Sequence, residues 1–402
     1  MINTDPNKIE EILTRGVEEV IDKQNLEKKL KSGKVLRVKL GIDPTSPNLH
    51  LGRAIPLLKL RDFQLAGHKI VLIIGDFTGV IGDTSDKDSE RPMLDEKTVK
   101  ANMKSYVNQA GKVLDIKKCE IKYNSRWLKK LGFGEIGKQA DNFSLNEFIS
   151  RENISKRMDS GTRVSLRELL YPLMQGYDSV AVKADVEIGG TDQKFNLLAG
   201  RQLQRYYKQE PQDILMNPLV EGLDGRKMSS SWGNTVNLLD SPTNMFGKIM
   251  SLKDEYIIKY FVLATRIGME KIKEYETELK AGKNPRDIKV LLAKEIVKMY
   301  HGEKEANKAE EEFNKVHRDK ELPTDIPVFE TDKKNYFIAD LLVDTKLVLS
   351  KNEAKRLVEG GGVETILGEK KERITDWRKE VVLEDSMIIK VGNRKFVKIK
   401  LK

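Results

Sequence analysis

The chain has 402 residues, with 72 lysines and arginines against 62 aspartates and glutamates, a net charge of +10. This length predicts two or three domains, and the single cysteine, Cys119, excludes an internal disulfide framework and suits a reducing cytoplasm. The polar opening residues predict no signal peptide, and without a run of about 18 apolar residues we expect no membrane span. The four histidines and the cysteine are scattered, which argues against a zinc site.

The first motif is a strand, a polar loop and a helix. A charged amphipathic helix is predicted over 5–31, and alternating apolar and basic residues then predict a strand over 35–40. Apolar residues return at helical spacing after Gly52. Thr45 and His50 therefore lie between the carboxyl end of a strand and the amino end of a helix, where open parallel sheets bind ligands and anions are favoured. A packing role for the histidine is the alternative.

A second strand and a glycine-rich loop follow. The continuous apolar run over 69–74 predicts a buried parallel strand. The loop after it, GDFTGVIGDTSDKDSER, permits close approach of a ligand to the backbone, but it matches neither the P-loop nor the dinucleotide fingerprint. A plain turn is the alternative. Residues 95–114 are predicted to be helical and 120–123 to form another strand. The polar, helical segment over about 125–165 is interpreted as an insertion between two halves of an α/β domain.

Three polar residues share one face of a predicted helix. Tyr171, Gln175 and Asp178 stand at positions i, i+4 and i+7. Apolar residues surround them, and buried polar side chains need partners. We therefore favour a lined pocket over the alternative of a solvated face.

A strand over about 182–188 leads into the sequence GGTDQ at 189–193 and a helix. A further strand near 215–218 precedes a glycine-rich loop over 222–231. This loop carries Lys227 and three serines, a set suited to binding phosphate with a point charge and hydroxyls. A loop that merely faces solvent is the alternative.

The remaining chain is predicted to form a helical domain over 241–320, a linker over 321–335 and an α+β module over 336–402. The linker is marked by two prolines and little periodicity. The final residues of the module are basic: Lys390, Arg394, Lys395, Lys398 and Lys400. Clustered positive charge favours binding to RNA phosphates. An edge strand blunted by lysines is the alternative.

Together, in this order, the motifs resemble one family over essentially the whole chain: the class I aminoacyl-tRNA synthetases, and among them the bacterial tyrosyl-tRNA synthetases. DPTSPNLHLG at 43–52 resembles the region ending in the family's HIGH motif, and KMSSS at 227–231 resembles its KMSKS loop. The polar helix face and GGTDQ resemble elements of the tyrosine pocket. The tail is similar to the RNA-binding module of ribosomal-protein type that ends many bacterial members.

The resemblance implies a fold and an activity. The fold is a Rossmann-like parallel-sheet catalytic domain over 1–240, with the inserted segment forming a homodimer, then an all-helical domain on the anticodon side of the tRNA and the RNA-binding module. Tyrosine and ATP would give tyrosyl-adenylate and pyrophosphate, and the tyrosyl group would pass to the 3′ end of tRNA(Tyr). ATP would be a substrate with Mg²⁺ as its counter-ion. No tightly bound cofactor, no protein-bound metal and no membrane partner are expected, and the location would be cytoplasmic.

The resemblance also assigns site residues. Those for catalysis are Thr45, His50, Lys227, Lys87 and Arg91. Those for tyrosine are Asp83, Thr78, Tyr171, Gln175, Asp178, Gln193 and Lys39, with Asp178 accepting the phenol proton. Those for ATP are Gly41, Asp43, His50, Gly52, Arg53, Gly190, Asp192, Lys227, Met228 and Ser230. Because the substrate carboxylate attacks the α-phosphate, the protein supplies positioning and charge stabilisation rather than a nucleophile.

Three positions depart from the family's pattern. Arg53 replaces the second histidine of HIGH, Ser230 replaces the second lysine of KMSKS, and Lys39 stands where many members place a tyrosine for the phenol contact. Two alternatives stay open: a paralogue that kept RNA binding but lost adenylation, and a tryptophan synthetase of the same fold. Asp178 and the RNA-binding tail favour tyrosine.

Overall fold

The computed structural model describes residues 2–84, 93–317, 326–368, 370–392 and 395–402. The roles predicted for Lys87, Arg91 and Arg394 fall outside these residues. The chain forms two compact units. The first runs to Asp240 and resumes over Lys248–Tyr300, and the second comprises Ser241–Gly247 and His301–Lys402. Among the described helices, none is long and apolar enough to span a membrane.

The first unit is built on a six-stranded sheet. Its strands are β1 Glu19–Ile21, β2 Arg37–Ile42, β3 Lys69–Ile74, β4 Glu120–Tyr123, β5 Val186–Gly190 and β6 Asp213–Asn217. Their order is β1-β6-β5-β2-β3-β4, with only β1 antiparallel to its neighbour among these strands. The apolar run of β3 is almost entirely buried, as expected for a parallel strand covered on both faces. The predicted parallel-sheet α/β fold is confirmed.

The described helices up to residue 317 are divided between the two units: residues 241–247 and 301–317 belong to the second unit and the others to the first. They are α1 Pro6–Thr14, α2 Lys23–Lys31, α3 Leu51–Leu65, α4 Thr78–Ile81, α5 Glu96–Met103, α6 Tyr106–Ala110, α7 Ser125–Leu128, α8 Phe133–Ala140, α9 Leu145–Ile149, α10 Glu152–Asp159, α11 Leu166–Val182, α12 Lys194–Tyr206, α13 Pro242–Met250, α14 Ile257–Ala264, α15 Met269–Lys280, α16 Pro285–His301 and α17 Glu303–His317. The single helix predicted over 5–31 is wrong. Gly16 adopts a φ of 60°, and β1, which pairs with β6, separates α1 from α2.

The helix α11 carries the polar face of the predicted pocket. It begins with a capping box, in which Ser165 and Glu168 each satisfy the other's backbone amide. It packs closely on α12 at Gly176, where a Cβ atom would lie 3.0 Å from the Ala199 carbonyl carbon. A Cβ atom would meet the α12 backbone more tightly than most real contacts do, so glycine favours this close approach. The close packing fixes the rotation of α11 and therefore the direction of its polar face.

The sheet opens at the point where its strand order reverses. The strands β2 and β3 pair along their whole length, from Arg37 to Ile42. In contrast, β2 and β5 pair only through Val38 with Val186 and Lys39 with Glu187. Beyond those pairs the two strands separate toward their carboxyl ends. A crevice at such a switch point is where open parallel sheets bind ligands.

The second unit contains a mixed sheet with helices α18 Ile338–Asp344 and α19 Lys351–Glu359. Its strands are β7 Val328–Thr331, β8 Asn335–Phe337, β9 Val363–Leu367, β10 Lys370–Ile374, β11 Glu380–Val382, β12 Ile388–Val391 and β13 Lys395–Leu401, in the orders β10-β9-β12-β13-β7 and β11-β8. The strand β7 lies inside the segment predicted as a linker. Because β13 pairs with β12 and β7, the edge-strand alternative for the basic tail is wrong.

Candidate active site

A cavity of about 440 Å³ lies in the crevice between β2 and β5. It brings together residues from both sequence motifs and from α11. The predicted residues that line it are Gly41, Asp43, Thr45, His50, Gly52, Arg53, Thr78, Asp83, Tyr171, Gln175, Asp178, Gly190, Asp192, Gln193, Lys227, Met228 and Ser230. Of the predicted tyrosine and ATP residues within the described ranges, Lys39 alone does not line the cavity.

The carboxylate of Asp43 ties three elements together at the centre of the cavity. It accepts hydrogen bonds from Thr78 Oγ1 at 2.7 Å and from the Tyr171 hydroxyl at 2.8 Å. Burial raises the pKa of Asp43 to about 6, although these hydrogen bonds oppose the shift. Gly75, the first residue of the predicted glycine-rich loop, has no predicted role of its own; in the structure a Cβ atom there would lie 1.9 Å from Asp43 Oδ1. Its only signal was a glycine directly after a buried strand.

One end of the cavity is lined by Asp178, which is buried. Its Oδ1 accepts a hydrogen bond from Trp127 Nε1 at 2.7 Å, and its Oδ2 accepts one from Asn124 Nδ2 at 3.2 Å. Burial raises the pKa of Asp178 to about 7, and the ammonium of Lys39 is the strongest opposing influence. Neither Asn124 nor Trp127 is distinguished in the sequence, because asparagine beside a strand end is also ordinary turn chemistry.

The neighbouring wall is a chain of amide and carboxylate groups. Gln193 Nε2 donates to Asp83 Oδ2 at 2.6 Å. Gln175 Oε1 accepts from Asn196 Nδ2 at 3.1 Å, and Gln175 Nε2 donates to Glu187 Oε1 at 3.2 Å. These contacts orient Asp83, Gln175 and Gln193 around one acceptor-rich region, which suits a bound ammonium group.

The structure does not place Lys39 at the cavity, where the predicted contact with a substrate phenol would require it. The Lys39 side chain is fully buried and forms an ion pair with Glu187 Oε1 at 2.9 Å. Its Nζ also donates to Ser179 Oγ at 2.8 Å and to the Gln175 carbonyl at 3.1 Å. These three acceptors hold the ammonium between α11 and β5, and Lys39 does not line the cavity.

The opposite end of the cavity lies at the amino end of α3. Arg53 donates to the Asp43 carbonyl at 2.6 Å and to Thr45 Oγ1 at 2.9 Å, and so fixes the loop that holds Thr45. Burial, with the charges of Arg53 and Lys227, lowers the pKa of His50 to about 3. The imidazole is therefore neutral at physiological pH and can donate to an anion at a helix terminus that favours one.

The loop that carries Lys227 closes this end. Lys227 Nζ pairs with Asp192 Oδ2 at 2.8 Å. Ser230 Oγ lies 3.3 Å from Ser46 Oγ, and Met228 Sδ accepts from the Gly52 amide at 3.3 Å. The two motifs, far apart in sequence, therefore meet around one cavity.

Residues 31–318 match the family model described as tRNA synthetases class I (W and Y). The chain belongs to this family. The tyrosine–tRNA ligase of Thermotoga maritima is 47% identical over 397 residues, covering 98% of each chain. That of Carboxydothermus hydrogenoformans is 45% identical over 403 residues, covering 97% of each.

Solved structures of class I synthetases share this fold. A C-terminally truncated mitochondrial tyrosyl-tRNA synthetase from Aspergillus nidulans superposes with a TM-score of 0.65 at 21% identity, over 77% of this chain and 94% of that one. The tyrosyl-tRNA synthetase of Archaeoglobus fulgidus, complexed with L-tyrosine, gives 0.60 at 23% identity, over 76% and 99%.

In the second unit of this class I synthetase, the lysines predicted to bind RNA stand among acidic residues. Lys390 pairs with Glu364 at 3.1 Å, and Lys400 pairs with Glu330 at 2.9 Å. Lys395 Nζ donates to the Leu347 carbonyl. Among the described residues, no group of three histidine, cysteine, aspartate or glutamate side chains is arranged to hold a metal ion.

Proposed function

We propose that this class I synthetase is a tyrosine–tRNA ligase, which joins L-tyrosine to tRNA(Tyr) through tyrosyl-adenylate. The observation that carries the proposal is Asp178, a buried acceptor held by Trp127 and Asn124 at one end of the cavity. A phenol hydroxyl would donate to this carboxylate, whereas an apolar ring would leave it unpaired at a cost. The names of the curated relatives, 45–47% identical over nearly their full length, support the same substrate.

The tyrosine ammonium is proposed to lie against the acceptor-rich wall. Asp83, Tyr171 and Gln175 would bind it, with Gln193 and Thr78 completing this part of the pocket. Tyr171 can accept through its hydroxyl oxygen because its own proton is donated to Asp43. The burial that raises the Tyr171 pKa well above its ordinary value keeps that proton in place.

ATP, as its magnesium complex, is proposed to lie at the amino end of α3. By resemblance, Gly52 would let the adenine approach; a Cβ atom there would also crowd the His50 ring at 3.1 Å. Asp192 would bind the ribose. Thr45, His50 and Lys227 would bind the phosphates, together with Lys87 and Arg91, by resemblance alone. As the reaction proceeds, the Lys227 ammonium would leave Asp192 and pair with the pyrophosphate.

The reaction is proposed to need no nucleophilic side chain. An oxygen of the tyrosine carboxylate forms a bond to the α-phosphorus, and the bond from that phosphorus to the bridging oxygen breaks to release pyrophosphate. A hydroxyl of the terminal adenosine of the tRNA then attacks the tyrosyl carbonyl, and AMP leaves. The protein lowers the barrier by holding the reactants in line and by placing positive and donor groups where negative charge develops.

The assembly and location are part of the proposal. We place the contact of a cytoplasmic homodimer on the inserted segment, as the resemblance implies. Two large apolar side chains there support this placement: Phe133 is 94% exposed and Leu145 is 62% exposed. Sedimentation of the protein and of a Phe133→Ser variant tests it, because loss of an apolar contact should shift the population toward the monomer.

The activity is tested by exchange of labelled pyrophosphate into ATP in the presence of tyrosine, phenylalanine or tryptophan. We expect exchange with tyrosine and not with the other two. Exchange with tryptophan would identify the other specificity of the family. Binding of tRNA without exchange for any amino acid would indicate a paralogue that has lost adenylation.

A further inference from the structure

At the wall of the cavity, Lys39 and Glu187 form an ion pair on neighbouring strands; Glu187 lines the cavity, whereas Lys39 does not. They face each other at the last residue pair before β2 and β5 separate. Their side chains are 0% and 1% exposed, and Lys39 Nζ lies 2.9 Å from Glu187 Oε1. A buried pair of this kind is costly to desolvate and does not by itself argue for stability. The pair lies where β2 and β5 begin to separate, directly beside the pocket.

Both members of the pair contact α11 on either side of Asp178. Lys39 Nζ donates to the Gln175 carbonyl at 3.1 Å and to Ser179 Oγ at 2.8 Å. Ser179 Oγ donates in turn to Glu187 Oε2 at 3.0 Å, and Gln175 Nε2 donates to Glu187 Oε1 at 3.2 Å. The segment of α11 that carries the pocket face is therefore bound to the two strands by polar contacts.

The charge of Lys39 also acts on Asp178. The groups that act on the Asp178 carboxylate include the charges of Lys39 on β2 and Glu187 on β5 and the neutral donors Asn124 and Trp127, and Asp178 in turn raises the pKa of Tyr171 on its own helix. Burial raises the pKa of Asp178 to about 7; Lys39 opposes this shift most strongly, and the effect of Glu187 in the other direction is weaker. Without Lys39 the carboxyl would be protonated over more of the physiological range and would accept a phenol hydrogen bond less well.

We propose that Lys39 is a positioning residue for tyrosine recognition: from beside the pocket, and without touching the substrate, its ammonium keeps Asp178 ionised and Gln175 in place. The inference rests on the proposed function. Glu187 holds the ammonium at this position, because the two buried charges and Ser179 satisfy one another.

The test is the pH dependence of kcat/KM for tyrosine in pyrophosphate exchange, which reports groups of the free enzyme. In Lys39→Met, we expect the midpoint of the acid limb of this pH profile, which lies at about pH 7 in the parent, to rise by about one pH unit. At pH 7 kcat/KM should then fall about fivefold, since the ionised fraction of Asp178 falls from about one half to about one tenth. The loss should shrink at pH 8.5, and KM for ATP should stay unchanged.

Two further lysine variants separate this effect from a general loss of packing. Lys39→Arg keeps the charge and should restore the limb toward its original position. Lys59 is another buried lysine, whose Nζ donates to the Ile12 carbonyl at 2.9 Å and which does not line the cavity. Lys59→Met should leave the pH profile for tyrosine unchanged.

If Lys39→Met does not fold, the double variant Lys39→Met, Glu187→Gln removes both charges and is measured in its place. The proposal for Lys39 would be overturned if the acid limb of the kcat/KM profile did not move in the folded variant, or if kcat/KM fell by the same factor at every pH. The proposal would also be overturned if the kcat/KM profile of the parent enzyme had no acid limb at about pH 7. Absence of tyrosine-dependent exchange in the parent enzyme would instead refute the proposed function.

Discussion

Replacement of Lys227 by alanine should slow formation of tyrosyl-adenylate without weakening the binding of tyrosine. In the structure Lys227 Nζ lies 2.8 Å from Asp192 Oδ2, with side-chain exposures of 26% and 17%. Its partner in the reaction is proposed to be pyrophosphate, whose negative charge grows as the bond to the α-phosphorus breaks. An interaction that strengthens in this way acts on the transition state rather than on the ground state.

The size of the effect is the difference between the interaction that Lys227 forms in the transition state and the ion pair with Asp192 that it loses. A preorganised donor facing developing charge is worth about 3–4 kcal/mol in the transition state. The ion pair with Asp192 that is given up is partly exposed, and such pairs are worth up to about 1 kcal/mol. The difference of about 2–3 kcal/mol corresponds to a rate loss of about 30- to 150-fold. Ser230 carries no charge and lies against Ser46, so it cannot compensate.

Single-turnover rates with saturating tyrosine and ATP measure the chemical step, and equilibrium dialysis measures the Kd for tyrosine. Arg226→Ala is the matched control, because Arg226 pairs with Asp224 and lies over the Trp232 ring at 4.7 Å without lining the cavity. Its rate should stay near that of the parent. A Lys227→Ala rate equal to the parent's, or a loss of tyrosine affinity as large as the loss of rate, would refute the reasoning.

Three further predictions concern other parts of the chain. Arg53→His should lower the single-turnover rate about tenfold, because a charge-assisted hydrogen bond to Thr45 is lost; a rate at or above the parent's would contradict this role. His50 should make a contribution to the free energy of unfolding that falls as the pH drops below about 6.5, because the unfolded chain protonates it while the folded chain, with a pKa of about 3, does not. Between pH 7.5 and 5.5 the difference in free energy of unfolding between the parent and His50→Asn should therefore change by about 1.4 kcal/mol against the parent, as urea unfolding measures, and a difference that does not change with pH would refute the assignment. Replacement of Lys398 and Lys400 by glutamine should leave tyrosine-dependent pyrophosphate exchange intact but weaken tRNA binding. The slope of the logarithm of the tRNA binding constant against the logarithm of salt concentration should be smaller by roughly one per lost phosphate contact; an unchanged slope would count against RNA binding by this strand.

The amino-acid sequence by itself determined the local elements of the site. The apolar run of β3, the capping box that begins α11 and the spacing of Tyr171, Gln175 and Asp178 are each encoded within a few residues. Strand ends and helix faces are local properties, and in a parallel sheet the carboxyl ends of the strands meet at one edge. For this reason nearly every predicted pocket residue in the described ranges does line the cavity.

Only the tertiary structure decided which side chains face one another across distant segments. Alternation along β2 indicates that Lys39 and its neighbours point to opposite faces, but it does not reveal that α11 covers the face of Lys39 or that β5 places Glu187 beside it. The sequence pattern likewise does not reveal that Trp127 and Asn124 donate to Asp178, or that β7 pairs with β13. Strand register and helix rotation are fixed by packing between segments far apart in the chain, which single-sequence periodicity does not record.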